Sequence, residues 1–157
     1  MQDEHELWWR LYLENATSAR HHEQQPTAIT SFFTALAAGI LAVLGLDRCL
    51  DSSDLPLTAL LLCVGILGAL LSAKQYERFN LHLARSRQYR NALAEAFPGA
   101  RILELKDAGE AENKTAFPWL SKTRMGVLWV GMHGLVALLG FLLASGILLK
   151  WFRCGTG

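Results

Sequence analysis

Few side chains in this 157-residue sequence are placed to do chemistry, and the most isolated is His133, the only ionisable group in the apolar run 125–149. An ionisable side chain inside such a run often marks a pore, a proton path or a shared polar cavity. The plainer account is a neutral imidazole bonded to a backbone carbonyl of a neighbouring helix, an approach that Gly131 and Gly134 permit. A second group is basic: Lys74, Arg78, His82, Arg85, Arg87 and Arg90. His21-His22-Glu23 could suggest a metal site. Adjacent helical side chains point about 100° apart, however, so both rings cannot readily grip one ion. No metal or cofactor is expected.

Catalytic patterns are scarce. No glycine-rich phosphate loop, GxSxG or HExxH occurs. Arg78 and His82 are separated by three residues, one short of the Arg-x(4–6)-His signature of HEPN ribonucleases, and one helical turn places both on a single solvated face. The chain therefore reads as a non-enzyme. A net charge of +1 supplies no field for binding DNA. Cysteines at 49, 63 and 154 form neither a CxxC nor a metal-ligand spacing.

The elements that must position these residues are apolar helices. Segments 27–46 and 55–73 carry no charge, and 125–149 carries only His133. About 20 helical residues at 1.5 Å each cross a hydrocarbon core of about 30 Å. The reading is all-α and integral to a membrane. A helix at 1–26, spans at 27–46, 55–73 and 125–149, a loop at 47–54, a helical extension and loop at 74–124 and a tail at 150–157 are expected. Segment 74–124 holds ten of the fifteen Lys and Arg, whereas 47–54 holds only Arg48. Positive charge stays inside, so the N-terminus and 74–124 face the cytoplasm, and the 47–54 loop and the C-terminus face out. Cys49 and Cys154 then share the outer, periplasmic side, either as a disulfide or as two thiols. The first 25 residues are too polar for a cleavable signal.

Spans in lipid associate through small residues. Ser31, Ala35, Ala38, Ala42 and Gly45 form a stripe on the first, Gly65, Ala69 and Ser72 on the second, and Ala137, Gly140 and Ala144 on the third, in line with His133. These faces suit packing within one subunit, and equally a ring of subunits. No helix breaker intervenes between the second span and Pro98-Gly99, which predicts one helix of about 40 residues. Its polar half carries Tyr76, Phe79, Leu83, Ser86, Arg90, Leu93 and Phe97 as a heptad-like seam. The partner expected is the N-terminal helix, with Trp8, Leu11, Tyr12 and Ala19 on one face, opened by an Asp3-x-x-Glu6 capping box and followed by Pro26, a kink or the membrane helix's first position. Arg87 and Arg90 lie on or beside the seam and call for carboxylates, with Glu14 and Glu23 as candidates. Residues 100–105 could form a short strand or helical turn, and 107–114 a solvated loop. Phe117-Pro118-Trp119-Leu120 beside Lys122 and Arg124 reads as an interfacial anchor.

Leu7-Trp8-Trp9-Arg10-Leu11-Tyr12, then Arg20-His21-His22-Glu23 ahead of a span, with Lys74-Gln75-Tyr76-Glu77-Arg78-Phe79-Asn80 after the second, resembles the small bacterial SLATT and RipA-type octameric membrane proteins over residues 5–97. The resemblance implies an oligomeric inner-membrane effector of antiviral defence that forms a pore or perturbs the bilayer. A cytoplasmic sensor protein or an anionic nucleotide activator would act through the basic helices. The alternative is a membrane-anchored adaptor that recruits a partner without conducting. Transport of a small molecule is disfavoured, since no span is visibly broken or rich in polar residues.

Overall fold

The computed structural model describes residues 2–46 and 50–151, with the backbone alone at Gln2, Asp3, Glu23 and Pro26. These residues form four α-helices: α1 (Gln2–Leu46), α2 (Leu55–Ala96), α3 (Ile102–Ala116) and α4 (Met125–Leu148). Among the described residues there is no strand. Three stretches, Glu4–Leu46, Ser52–Ala96 and Met125–Leu148, are long and apolar enough to cross a membrane. The chain divides into two compact units, Met1–Gln25 with Gln75–Met125 and Pro26–Lys74 with Gly126–Gly157. They are called here the polar and the apolar unit.

α1 is helical throughout, Pro26 included. Asp3 lies inside the helix, so the expected capping box does not open it. Cys49 and Cys154, expected as either a disulfide or two thiols, lie outside the described residues, whereas Cys63 is a free, exposed thiol. The turn before α2 is built by Asp51 and Asp54. The Asp51 carboxylate accepts from the Ser53 amide (2.7 Å) and hydroxyl (2.7 Å), and Asp54 accepts from the Asp51 amide (3.1 Å). The Ser53 hydroxyl and then its amide hold the Asp51 carboxyl below its ordinary pKa. α2 runs unbroken to Ala96 and stops before Pro98-Gly99, as the absence of an earlier breaker predicts.

The apolar unit has its polarity turned inward. Thr30, Thr58, Ser72 and His133 are buried, while Phe32, Leu70, Leu135 and Phe141 are exposed. Water would drive the opposite arrangement. Lipid tails are as apolar as leucine, so in a bilayer the interior goes instead to groups that pack closely or bond to each other. Ala37, Ile40, Leu44, Leu61 and Val64 form its core.

In the polar unit the first half of α1 lies antiparallel to the second half of α2. His22 meets Gln75, Asn15 meets His82 and His5 meets Phe97. Ala19, Ser86 and Leu93 are buried along this seam. Residues 102–116, expected as a short strand or turn and a solvated loop, are a single helix. Gly109 costs such a helix about 1 kcal/mol relative to alanine. Local charge pairs favour it: Arg101 bonds Glu104, and Lys106 reaches both Asp107 (2.7 Å) and Glu110 (2.9 Å). Arg101, with φ 51°, turns the chain into α3. At the other end Lys150, with φ 54°, closes α4, and the Trp151 amide donates to the Gly146 carbonyl (2.9 Å).

Candidate functional site

Two clusters hold the residues singled out from sequence, one in each unit. In the apolar unit His133 is 1% exposed at the meeting of three helices. Its Nε2 lies 3.3 Å from the Thr30 hydroxyl of α1. Phe33, one turn further along α1, sets its ring edge-on to the imidazole at 5.8 Å. Gly68 of α2 supplies the third wall, where a β-carbon would overlap the imidazole. The partner is thus a side-chain hydroxyl and the permissive glycine is Gly68. Gly131 and Gly134, on α4 itself, face open space. The ring is turned into the apolar unit and bonded there.

The three small-residue stripes have different fates. Those of α2 and α4 meet each other. A β-carbon at Gly65 would overlap the backbone of Ala137, and one at Gly140 would lie 2.5 Å from the Leu62 nitrogen. The two backbones touch, which only residues lacking a side chain allow. Ser72 is buried and Ala69 and Ala144 are half-buried. The stripe of α1 is left over: Ser31, Ala35, Ala38, Ala42 and Gly45 are all exposed, and Gly39 and Gly45 face nothing within 4 Å. Thr27 and Thr34 lie on the same outward side.

The polar unit gathers a second cluster. His22 and His82 stack with centroids 5.3 Å apart and planes at 14°. His22 Nδ1 lies 2.9 Å from the Gln75 side-chain oxygen, and His82 Nδ1 lies 3.2 Å from that of Asn15. The Asn15 amide in turn donates to the Leu11 carbonyl (2.8 Å). Burial comes first in lowering the His82 pKa, followed by the charges of His22, Arg85 and Arg78, with Glu14 acting the other way. From sequence alone Asn15 carries no assignment, His22 enters only through the His21-His22-Glu23 run, and Gln75 only as part of the segment that follows the second apolar run. Asn15 had a signal, since it interrupts the face that carries Tyr12 and Ala19. His21, the other half of the dipeptide, is exposed and bonds Gln25 on its own helix.

Of the basic residues, Lys74, Arg78, Arg85 and Arg87 are exposed, and His82 and Arg90 are half-buried. Glu14, expected to pair with Arg87 or Arg90, makes no ion pair with either and bears on His82 instead; the Glu23 side chain lies outside the described residues. A groove of about 450 Å³ between α1 and α2 is lined by Arg20, Arg87 and Arg90, with Tyr12, Phe79 and Ser86 among its other walls. Among the described residues no three His, Cys, Asp or Glu side chains are grouped to hold a metal.

No family model, characterised protein or solved structure matches this chain. The functional reading therefore rests on these two clusters and on the outward stripe.

Proposed function

We propose that this chain is a subunit of an oligomeric inner-membrane effector of bacterial defence, which forms a pore or perturbs the bilayer. The observation that carries the assembly is the unused small-residue stripe of α1. Two of three such faces satisfy each other within the subunit, and the third points outward with room for another backbone. Close contact between small residues is the main way that helices recognise one another in lipid. The hydroxyls of Thr27, Ser31 and Thr34 lie on that side of α1 and would line a ring built from α1 helices. His133, bonded inside the subunit, holds the three helices together in this reading and takes no part in a conducting path.

The lysine and arginine bias supports an N-terminus and a polar unit in the cytoplasm and a C-terminus in the periplasm. The defence role rests on the resemblance to SLATT and RipA-type proteins. A non-conducting adaptor is favoured by a different observation, the exposed Leu103 and Leu105 on α3, which offer a partner an apolar contact.

The test pairs particle mass in detergent with dye release from liposomes. The wild type is expected to run as a multimer. An Ala38→Leu/Ala42→Leu chain should keep its helicity and fall to monomer, because both positions are exposed in the subunit. A monomeric wild type in several mild detergents would sink the assembly. A multimer that never leaks, with its cytoplasmic partners present, would transfer the case to the adaptor.

A further inference from the structure

Among the described residues, the groove between α1 and α2 in the polar unit has a charge imbalance. Arg20 enters from α1, and Arg87 and Arg90 enter from α2. Among the described residues none of the three forms an ion pair or a side-chain hydrogen bond. The Nε–H of Arg90 is buried and has no acceptor. The nearby carboxylate, Asp107, feels the charge of Arg90 but is itself bonded to Lys106. A guanidinium donor withdrawn from water without a partner is costly, and three cations around one space repel each other. Apart from Ser86 the other walls are apolar and aromatic, including Tyr12 and Phe79. Tyr12 stacks on Trp9 and Phe79 on Tyr76, so both rings are held in place.

We propose that this groove is a binding site for a phosphoryl group attached to an apolar or aromatic body. Three arginines supply more positive charge than one carboxylate would need. Their planar forks match the oxygens of a multiply charged phosphate or diphosphate. Phosphate oxygens accept from Arg87, Arg20 and the stranded Nε–H of Arg90, and the rest of the ligand lies against Phe79 and Tyr12. The ligand is a soluble phosphorylated molecule or the headgroup of an anionic lipid; the site chemistry is common to both. This site does not depend on how the spans assemble, so its test and the assembly test fail separately.

The experiment uses the full chain in nanodiscs of neutral phosphatidylcholine, titrated calorimetrically with inorganic pyrophosphate and with ADP. Saturable binding that weakens with salt is expected, with ADP the tighter of the two because its ring adds contact with the aromatic wall. A parallel arm replaces a share of the lipid with phosphatidylglycerol. Loss of ADP binding there identifies the headgroup as occupant, and unchanged binding identifies a soluble ligand. Arg87→Gln should lower the affinity about tenfold, and Arg87→Lys by less, because it keeps the charge and loses the fork. Arg87 is exposed, so neither change should unfold the helix. Arg124→Gln, away from the groove, should have no effect. Absence of saturable binding by either probe and from either lipid, or equal losses from Arg87→Gln and Arg124→Gln, would overturn the site.

Discussion

The imidazole of His133 on α4 meets the hydroxyl of Thr30 on α1, Nε2 to Oγ1 at 3.3 Å, with both residues buried. Their bond ties α4, the last helix of the chain, to α1. His133→Leu should keep the helices and lower stability by about 1–2 kcal/mol, because it strands the Thr30 hydroxyl. Thermal unfolding in detergent followed by circular dichroism measures the loss. Assembly and dye release should be unchanged; leakage abolished in a normally assembled variant would return His133 to the conducting path.

Glycines in this chain divide into two kinds, and alanine should tell them apart. At Gly140 a β-carbon meets the Leu62 backbone, which cannot move aside as a flexible side chain would. Gly140→Ala should cost about 1–3 kcal/mol by forcing α2 and α4 apart. At Gly39 the same methyl enters open space, and the helix itself favours alanine. The melting temperature should fall sharply in the first variant and hold or rise slightly in the second. Equal shifts would mean that α2 and α4 do not touch.

The stacked histidines predict a pH dependence with a definite sign. The groups facing His82 are His22 and Glu14 from α1 and Arg78 and Arg85 from α2. Burial, followed by the electrostatic influence of His22, Arg85 and Arg78, holds its pKa in the fold below the ordinary value of about 6.5. The unfolded chain then binds the proton first as pH falls. Stability from this group is complete above about pH 6.5 and is lost as pH falls from there toward the lowered native value. Melts at pH 7.5 and pH 5.5 should differ, and His82→Gln should shrink the difference. A variant with the full wild-type pH dependence would remove His82 from the account.

Lys150 holds a left-handed backbone at the end of α4, where its β-carbon is disfavoured. Lys150→Gly should raise stability by about 0.5–1 kcal/mol, since glycine is the usual residue at that position. A decrease on thermal unfolding would show that the lysine side chain contributes more than its backbone strain costs.

Much of this architecture is legible in composition. Uncharged runs mark the three helices able to span, and the missing breaker before Pro98 marks the length of α2. What escapes is whatever depends on partner choice. Each stripe of small residues is visible, yet nothing local tells that Gly65 and Gly140 approach the opposing backbone while Ala38 and Ala42 stay bare. The helix at 102–116 was hidden for another reason. Its large apolar residues, Ile102, Leu103 and Leu105, all fall in the first turn, too short a run to set a period, and the helix is favoured by charge pairs around Lys106 despite Gly109. The expectation of carboxylates for Arg87 and Arg90 followed from the cost of burying charge. Glu14 instead sits by His82, which leaves the arginines to the groove.

The contact between α2 and α4 also has a place in time. Gly65 and Gly68 leave the ribosome about 70 residues before Ala137 and His133, which is several seconds at about 5–20 residues per second. For that interval the nascent hairpin of α1 and α2 carries two bare glycine notches and an unbonded threonine hydroxyl. Arrival of the last helix closes all three at once. Truncation before residue 133 should therefore leave α1 and α2 without the helix that covers these three positions, and the chain less stable.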